Sequence, residues 1–370
     1  MSIIAVTILL IYSFLLLAVL VTWNNLKYQA DAVDDLPGVS VIVAMRNEAQ
    51  QLPQLLSSLQ DQDYPGPFEV ILVDDASDDE SAQIAQDLMG SLDLKVFRLP
   101  DSNAPGLSRK KLAITKGVSN ARYPTIMVTD ADCEAPAGWI RLTSQYLAKH
   151  KAHMVCGIVR WSKSSWSWQP LLDQEFAALQ SIGAASLSWG TPNMCNGANL
   201  AFTKNAFQEV NGYEGYEEVT SGDDEFLLYK VWTQFNGGVY FLKHPETVVT
   251  TLPPQNWREF WHQRRRWSGK WKHHKRFTTK FLGILVLLVH LSFLVALLTL
   301  ILNPAHYLAG VIGSKILAEA LLLIAVLRFQ RRTFKIGWFL IGQFLYSIYA
   351  LSFGFMANFG SFNWKNRQYS

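Results

Sequence analysis

The sequence predicts an α/β domain with a mainly parallel sheet, joined to helices long enough to cross a membrane. In the middle of the chain, short and continuously apolar runs alternate with helical stretches, which is typical of parallel strands covered by helices. Long uncharged runs lie near both ends of the 370-residue chain, whose residues are 49% hydrophobic and only 17% charged.

Five apolar runs are candidate strands, with helical patterns between several of them. They are residues 39–44 (VSVIVA), 68–73 (FEVILV), 94–99 (LKVFRL), 125–129 (TIMVT) and 152–159 (AHMVCGIV). Ligands of open α/β sheets bind beyond the carboxyl ends of the strands, so chemistry is expected there. A P-loop and a Gly-x-Gly-x-x-Gly motif are both absent from the sequence, so the two common nucleotide signatures do not apply.

Four long apolar runs are predicted to span a membrane, since about 20 apolar residues suffice. They cover residues 2–23, 281–302, 307–327 and 336–355. The first run lacks a basic segment before it and a convincing cleavage site after it, so we expect a retained anchor rather than a signal peptide. In the third run, Lys315 and Glu319 lie four residues apart and could pair inside a helix bundle.

Basic residues predict the orientation of these spans. Lys27 follows the first span, the segment before residue 281 is strongly basic, and residues 328–335 hold four positive charges, whereas residues 303–306 hold none. These basic stretches share one side of the membrane if residues 24–280 face the cytoplasm. We therefore expect a multi-pass protein of the cytoplasmic (inner) membrane.

Charge and cysteine content exclude several classes of protein. The net charge is only +3, which argues against a protein that coats nucleic acid. The chain has three cysteines and no Cys-x-x-Cys pair, so neither a disulfide framework nor a zinc site is expected.

Acidic residues follow two of the predicted strands. Asp74 and Asp75 come after the second strand, and Asp130 and Asp132 come after the fourth. Two carboxylates in Asp-x-Asp can converge on a hard divalent cation that also binds a diphosphate. Either motif alone could serve turn chemistry, but two acidic strand ends in one sheet favour a ligand site.

Two later segments carry polar residues whose roles stay open at this point. CNGANLAF places Asn196 and Asn199 before an apolar run, where their amides could bind a hydroxyl-rich ligand or shape a turn. SGDDEFLLYKVW opens an amphipathic helix, whose N-cap could be Ser221 or Asp223, and for Asp223 we expect the role of N-cap. Asp224 could be a catalytic base, which this stretch alone does not decide.

Residues 257–277 combine four tryptophans with eight Lys or Arg residues. Indole rings beside basic side chains are typical of a helix at a membrane surface, and we expect this to be the main role of the segment. The residues at helical spacing are Trp257, Phe260, Trp261, Arg264, Trp267 and Trp271, flanked by Lys270, Lys272, Lys275 and Arg276.

The order of these motifs strongly resembles the membrane-bound inverting glycosyltransferases of family 2, which include cellulose, chitin and hyaluronan synthases and ceramide glucosyltransferases. The motifs are VSVIVAMRNE, VDDAS, TDADC, NGAN, SGDDE and QRRRW, within residues 38–270. The resemblance implies a GT-A (Rossmann-like) domain. The expected organisation is an anchor at 1–23, the cytoplasmic GT-A domain at 24–256, an interfacial region at 257–280, three spans at 281–357 and a tail at 358–370.

The resemblance also implies which residues bind the sugar donor. Asp75 would contact the uracil of a UDP-sugar, and Arg46 and Glu48 would lie at the edge of the nucleotide pocket. Lys111 would lie near the donor phosphates, although Lys110 is an equal candidate. The remaining implied donor ligands are Asp130 and Arg266, the latter neutralising the leaving diphosphate.

Further roles follow from the same resemblance. Asp132, with Asp130, would ligate Mg²⁺ or Mn²⁺ on the diphosphate, and Asp224 would be the general base. Gln263 and Trp267 would lie on the acceptor side, where an indole face suits a sugar ring. The asparagines Asn196 and Asn199 are expected there as well.

The implied activity is transfer of a hexose or N-acetylhexosamine, with inversion, from a nucleotide-sugar to a lipid-borne or polysaccharide acceptor. Large processive synthases usually have more spans after the catalytic domain. The gating-loop motif of the cellulose synthases is also not found, and residues 276–281 (RFTTKF) resemble it only weakly. Single transfer to a lipid and polymerisation therefore both stay open, and a polymer channel would need an oligomer or a partner subunit.

Two other classes compete with this hypothesis. A catalytically inactive, membrane-anchored nucleotide-sugar-binding or scaffold protein is disfavoured by the intact acids and the intact QRRRW motif. A transporter is disfavoured because intramembrane charge is limited to Lys315 and Glu319. Release of UDP from a donor would separate an enzyme from a scaffold.

Overall fold

The computed structural model describes residues 3–28, 36–87, 92–101, 108–219, 221–269, 276–356, 362–364 and 367–369. Four predicted interfacial positions, Lys270, Trp271, Lys272 and Lys275, lie outside the described residues.

The strands confirm most of the predicted runs. In chain order they are β1 (Val39–Met45), β2 (Phe68–Asp74), β3 (Leu94–Arg98), β4 (Thr125–Asp130), β5 (Cys133–Glu134), β6 (Met154–Cys156), β7 (Val159–Trp161), β8 (Leu200–Thr203), β9 (Val239–Phe241), β10 (Val249–Thr251), β11 (Phe362–Trp364) and β12 (Arg367–Tyr369). The central sheet has the order β3-β2-β1-β4-β8-β6-β9. Only β8 runs antiparallel to its neighbours β4 and β6 in this sheet, so the predicted α/β class with a mainly parallel sheet is confirmed.

The helices lie between and after the strands. In chain order they are α1 (Ile3–Asn25), α2 (Leu52–Gln60), α3 (Ser81–Asp87), α4 (Arg109–Asn120), α5 (Trp139–Lys149), α6 (Gln169–Ser188), α7 (Lys204–Glu209), α8 (Asp223–Gln234), α9 (Trp257–Gly269), α10 (Phe277–Leu302), α11 (His306–Phe329) and α12 (Ile336–Met356).

Both faces of the central sheet are buried, which explains why its strands are apolar without alternation. In β1, Ile42 packs into the hydrophobic cluster that includes Ala113 of α4. Its neighbours Val41 and Val43 point the other way, into a cluster that includes Leu55 of α2. Alternate residues of one strand therefore serve two cores.

The fifth predicted run is not one strand but two, and they belong to different sheets. β6 lies in the central sheet, whereas β7 pairs with β10 in a small sheet of order β5-β10-β7. Gly157 lies between the two strands, and a Cβ added there would lie 2.4 Å from side-chain atoms of Asn199. The prediction of a continuous strand was wrong because periodicity does not reveal this close approach.

Among the described residues, four helices are long and apolar enough to cross a membrane, namely α1, α10, α11 and α12. A polar network lies between them. Lys315 and Glu319 of α11 form the expected ion pair at 2.8 Å. The Lys315 ammonium also donates to Gln343 Oε1 of α12 at 2.7 Å, and the Tyr12 hydroxyl of α1 donates to Glu319 Oε1 at 3.0 Å.

Candidate active site

The carboxyl ends of three neighbouring strands bring the predicted acids to one edge of the sheet. The register aligns Met45 of β1 with Asp74 of β2, and Ala44 with Asp130 of β4. Asp75 and Arg46 follow directly after β2 and β1. Parallel pairing therefore places the acidic motifs VDDAS and TDADC on both sides of β1.

The first residues of α4 connect these strand ends to the rest of the site. Arg109 Nε donates to Asp75 Oδ1 at 2.6 Å. The next side chain, Lys110, lies with its Nζ 2.7 Å from Asp130 Oδ1 and 3.2 Å from Asp223 Oδ2. Two consecutive residues thus contact acids from the loop after β2, from β4 and from α8.

The charges at this junction stabilise one another. Burial would lower the pKa of Lys110, but the carboxylates of Asp130 and Asp223 outweigh it and raise that pKa above its ordinary value. Burial would likewise raise the pKa of Asp223, but Lys110 and Lys111 outweigh it, so the pKa of Asp223 is lowered. The lysine is therefore an ammonium and Asp223 a carboxylate near neutral pH.

The hydrogen bonds of Lys111 go to backbone carbonyls rather than to carboxylates. Its ammonium donates to the carbonyl oxygens of Tyr216 at 2.7 Å and Val219 at 2.5 Å, and lies 3.4 Å from that of Ser221. Of the two equal candidates for the donor phosphates, the geometry favours Lys110, since Lys111 holds the backbone that leads into α8.

The loop after β2 is shaped by turn chemistry at Asp74 and presents Asp75. Asp74 Oδ1 accepts hydrogen bonds from the backbone and hydroxyl of Ser77, at 2.9 and 2.5 Å. Arg46 Nη1 donates to the carbonyl oxygens of Asp75 and Ala76, at 2.5 and 2.9 Å. Arg46 therefore supports the backbone of this loop.

Glu48 lies in the turn after β1, beside the loop that carries VDDAS. Its backbone N–H donates to Ser81 Oγ at 2.7 Å, and its carbonyl accepts from the backbone N–H of Leu52 at 2.9 Å. These bonds fix the turn that leads from β1 into α2, at the predicted edge of the nucleotide pocket.

The start of α8 differs from the expectation. Its N-cap is Gly222, with φ of +76°, a left-handed conformation that glycine adopts without strain. The prediction that Asp223 is the N-cap was therefore wrong; Asp223 is the first helical residue and binds Lys110. Asp224, which follows, accepts a hydrogen bond from the backbone N–H of Gly197 at 3.1 Å.

The NGAN segment can approach α8 because residue 197 is a glycine. A Cβ added at this position would lie 3.1 Å from Asp223 Oδ2 and 3.5 Å from Lys110 Nζ. A side chain there would intrude on the charged junction. The motifs SRKKL, TDADC, NGAN and SGDDE therefore converge at one place.

The two asparagines of NGAN have different environments. Asn199 is buried, donates to the carbonyl oxygens of Ile158 and Thr247 at 2.8 and 2.7 Å, and accepts from Trp139 Nε1 at 2.9 Å. This geometry favours a structural role for Asn199 over a role in acceptor binding. Asn196 is half-buried and accepts from the backbone of Ala198 at 3.0 Å, which leaves both alternatives open for that residue.

Asp130 and Asp132 offer carboxylate oxygens at the end of β4. Burial, with help from both acids, raises the pKa of the neighbouring Cys133 thiol well above its ordinary value, so sulfur is a poor ligand here. The described residues hold no cluster of three or more His, Cys, Asp or Glu placed for a metal ion. Mg²⁺ is commonly held by one or two carboxylates together with substrate phosphates, so this donor set fits a cation shared with a diphosphate.

The QRRRW motif lies on α9, whose contacts run to α6 and α12. Gln263 Oε1 accepts from Arg264 Nη1 at 2.6 Å, and Arg264 forms an ion pair with Glu175 of α6. Trp267 lies nearly parallel to Phe176, with ring centroids 6.4 Å apart. Arg266 is half-buried on the same helix. The expectation that Arg264 lies on an interfacial surface was wrong, because its side chain is 2% exposed.

Sequence reasoning missed Arg109 and, although it named Arg264, did not find its partner Glu175. Arg109 directly precedes the two lysines that were considered, and only the tertiary structure shows that it meets Asp75. The helical spacing of Phe260, Arg264 and Trp267 agrees with the contacts of Arg264 with both rings.

Comparison with known proteins matches one domain of the chain. Residues 40–210 match the family model described as Glycosyl transferase family 2. The chain therefore contains a glycosyl transferase family 2 domain, as the order of its motifs predicts.

Two curated relatives share part of their length with this chain. It is 27% identical over 239 residues to the poly-beta-1,6-N-acetyl-D-glucosamine synthase of Staphylococcus epidermidis, covering 62% of this chain and 54% of the relative. It is 26% identical over 260 residues to the beta-monoglucosyldiacylglycerol synthase of Trichormus variabilis, covering 65% of this chain and 50% of the relative. The chain thus spans about half the length of these relatives.

A solved structure shares the fold over nearly the whole chain. It is the mannosyltransferase PcManGT from Pyrobaculum calidifontis in complex with GDP-Man and Mn2+, with a TM-score of 0.61 and 16% identity. The match covers 96% of this chain and 100% of that one. The likeness confirms the fold.

Proposed function

We propose that the protein is a membrane glycosyltransferase that moves a sugar from a nucleotide-sugar, expected to be a UDP-sugar, to a lipid-borne or polysaccharide acceptor with inversion. One observation carries this proposal: Lys110 joins Asp130 of the TDADC motif to Asp223 beside the candidate base, at 2.7 and 3.2 Å. Acids and a cation from three motifs thereby meet at the carboxyl edge of the sheet, where α/β proteins bind ligands.

Asp224 is the proposed general base. Its Oδ2 accepts the Gly197 N–H at 3.1 Å and its Oδ1 accepts the Glu225 N–H at 2.8 Å, and it lies in the first turn of α8. Backbone donors and the positive end of a helix both stabilise a carboxylate. This carboxylate would take the proton of the acceptor hydroxyl as the hydroxyl attacks the anomeric carbon, in one in-line displacement.

Asp130 and Asp132 would hold Mg²⁺ or Mn²⁺, which when bound supplies positive charge to the diphosphate. Asp75, held by Arg109, would accept a hydrogen bond from the nucleotide base. The cations Lys110 and Arg266 would stabilise the leaving diphosphate electrostatically. The proposed acceptor side is α9, with Gln263 and Trp267.

Four apolar helices support a membrane protein, and we infer that the α/β domain faces the cytoplasm. The aromatic and basic helix α9 lies directly before α10, so an acceptor borne by a lipid would reach the site from the membrane surface. The glycolipid synthase and the polysaccharide synthase among the relatives support both acceptor classes.

The test is release of the free nucleotide by detergent-purified protein, with Mn²⁺, a panel of UDP- and GDP-sugars, and membrane lipid extract as acceptor. Product that moves into the lipid phase supports a glycolipid synthase, and a large or insoluble glycan supports a polymer synthase. If no donor is consumed and Asp224→Asn behaves as the wild type does, the scaffold hypothesis is favoured instead.

A further inference from the structure

A buried carboxylate joins the helices α6, α9 and α12. Glu175 of α6 forms an ion pair with Arg264 of α9, and its Oε1 accepts a hydrogen bond from the Tyr349 hydroxyl of α12 at 3.0 Å. The side chains of Arg264 and Glu175 are only 2% and 8% exposed. Each oxygen of this carboxylate is therefore bound by a donor from a different helix.

Arg264 is also enclosed by the rings of its own helix. Its guanidinium carbon lies 4.6 Å from the ring centroid of Phe260 and 4.4 Å from that of Trp267. On its α6 side, Trp267 lies within 15° of parallel to Phe176, the residue after Glu175. Arg264 and Phe176 together constrain the plane of the indole that is proposed to face the acceptor.

A buried ion pair is weak evidence for stability, because the desolvation of both charges offsets their attraction. It does restrict geometry, since both charges are satisfied only at one relative placement of the helices. In this protein the restricted helix is the one that carries Gln263, Arg266 and Trp267.

We propose that Glu175 and Arg264 are positioning residues for sugar transfer, which fix α9 against α6 and, through Tyr349, couple it to the apolar helix α12. The proposal rests on the proposed function, because it assigns the pair to the acceptor side of that site. The pair contacts neither substrate nor reacting atoms and acts through Trp267 and Arg266.

The test compares Arg264→Lys and Glu175→Gln in the full-length, detergent-purified protein. Lysine keeps the charge but loses the planar fork that pairs with Glu175 and stacks between two rings. The kcat is expected to fall about ten- to a hundredfold in both variants, as for a small misplacement of reactive groups. The donor KM should change by less than about threefold, since Asp75, Asp130 and Asp223 are held by α4. Arg258→Lys, at an exposed position of the same helix, is the matched control.

Coupling within the network distinguishes positioning from general destabilisation. The double variant Arg264→Lys with Glu175→Gln should be about as slow as the slower single variant, because both remove one interaction. Tyr349→Phe removes only a hydroxyl and should reduce kcat by a smaller factor. The melting temperature of each variant is recorded beside its kcat.

Wild-type kcat in folded Arg264→Lys and Glu175→Gln would overturn the proposal. An inactive wild-type protein would instead overturn the proposed function, so the two failures are distinguishable. If the single variants do not fold, Glu175→Met with Arg264→Met replaces the pair by apolar side chains. Reduced kcat in that folded double variant supports positioning, and wild-type kcat overturns it.

Discussion

At the scale of single residues, three consecutive side chains at the start of α4 organise the site. Arg109 binds the carboxylate of Asp75, Lys110 binds Asp130 and Asp223, and Lys111 binds backbone carbonyls. A helix directs successive side chains about 100° apart, so one helical turn can reach three surroundings. Three consecutive residues of α4 therefore supply basic side chains that contact the acids and the backbone of the site.

Asp224→Asn should reduce kcat by at least about a hundredfold, because the amide cannot take the acceptor's proton. The amide oxygen can still accept the Gly197 N–H, so the Kd for UDP should stay within about twofold of wild type. Nucleotide release and UDP binding are measured in parallel, with Asp87→Asn, at an exposed position of α3, as control. Loss of UDP binding would contradict the role of base.

Lys110→Met and Lys111→Met should have different effects. Lys110→Met removes the cation between Asp130 and Asp223 and should weaken donor binding. Lys111→Met leaves buried carbonyls without their donor and should lower the free energy of unfolding by about 1–3 kcal/mol. Thermal unfolding and UDP titration separate the two. Weak donor binding with normal stability in Lys111→Met would reverse the assignment.

At the scale of elements, the connection between β6 and β7 and the NGAN segment before β8 lie against each other. Gly157 lies between β6 and β7, and the Asn199 side chain occupies the space that a Cβ at this position would need. Asn199 thereby connects the central sheet to β7 through Ile158 and to α5 through Trp139. The NGAN segment is held at its far end, so that Gly197 lies against Asp224.

Asn199→Ala should lower the free energy of unfolding by about 2–4 kcal/mol, because it leaves a buried indole N–H and two carbonyls without partners. Asn196→Ala should leave the melting temperature nearly unchanged and, if Asn196 meets the acceptor, raise the acceptor KM. The melting temperature and the acceptor KM of both variants are compared. A stable Asn199→Ala with a raised acceptor KM would show that the acceptor-binding prediction holds for Asn199.

Helix α6 carries a half-buried acid, Asp173, that makes stability depend on pH. Burial raises the pKa of Asp173 to about 6, although Arg332 and Gln169 oppose the shift. A raised carboxyl pKa stabilises the fold below the unfolded pKa of about 3.9, and this contribution is lost as the pH rises through about 6. Asp173→Asn should therefore be more stable than wild type at pH 7, by about 1–3 kcal/mol.

The measurement for Asp173→Asn is thermal unfolding at pH 4 and pH 7. The variant should melt higher than wild type at pH 7, and the difference should shrink toward pH 4. An equal difference at both values would show that the titration of Asp173 is not its cause.

At the scale of the whole molecule, the α/β domain and the apolar helices share one hydrophobic core. A single cluster contains Ile42 of β1, Trp23 of α1 and Leu322 of α11. The ring of Trp23 makes edge contacts with Phe241 of β9 and Phe329 of α11, at 6.5 and 5.7 Å. The α/β domain is therefore packed onto the apolar helices, and α6 lies between them.

Lys315→Met should destabilise the helix bundle strongly, by about 3–5 kcal/mol, because it leaves the Glu319 carboxylate without its cation. Replacing both residues, Lys315→Met with Glu319→Leu, should restore most of the loss. Melting temperatures in detergent test this. A single variant as stable as wild type would mean that the ion pair is not desolvated.

The sequence alone determined the class of fold, the apolar helices and the order of motifs, because these depend on local hydrophobic periodicity and on residue type. Four of the five predicted strands match observed strands within one residue at either end. The pairing of Lys315 with Glu319 was also predictable, since residues four apart share a helix face.

Only the tertiary structure decided which of two adjacent lysines meets the acids, which asparagine contacts Trp139 and which carboxylate pairs with Arg264. Each of these depends on contacts between residues far apart in the chain: Lys110 with Asp223, Asn199 with Trp139, Arg264 with Glu175. Residue type and spacing define what a side chain can bind. Which partner it meets is set by how the sheet and helices pack.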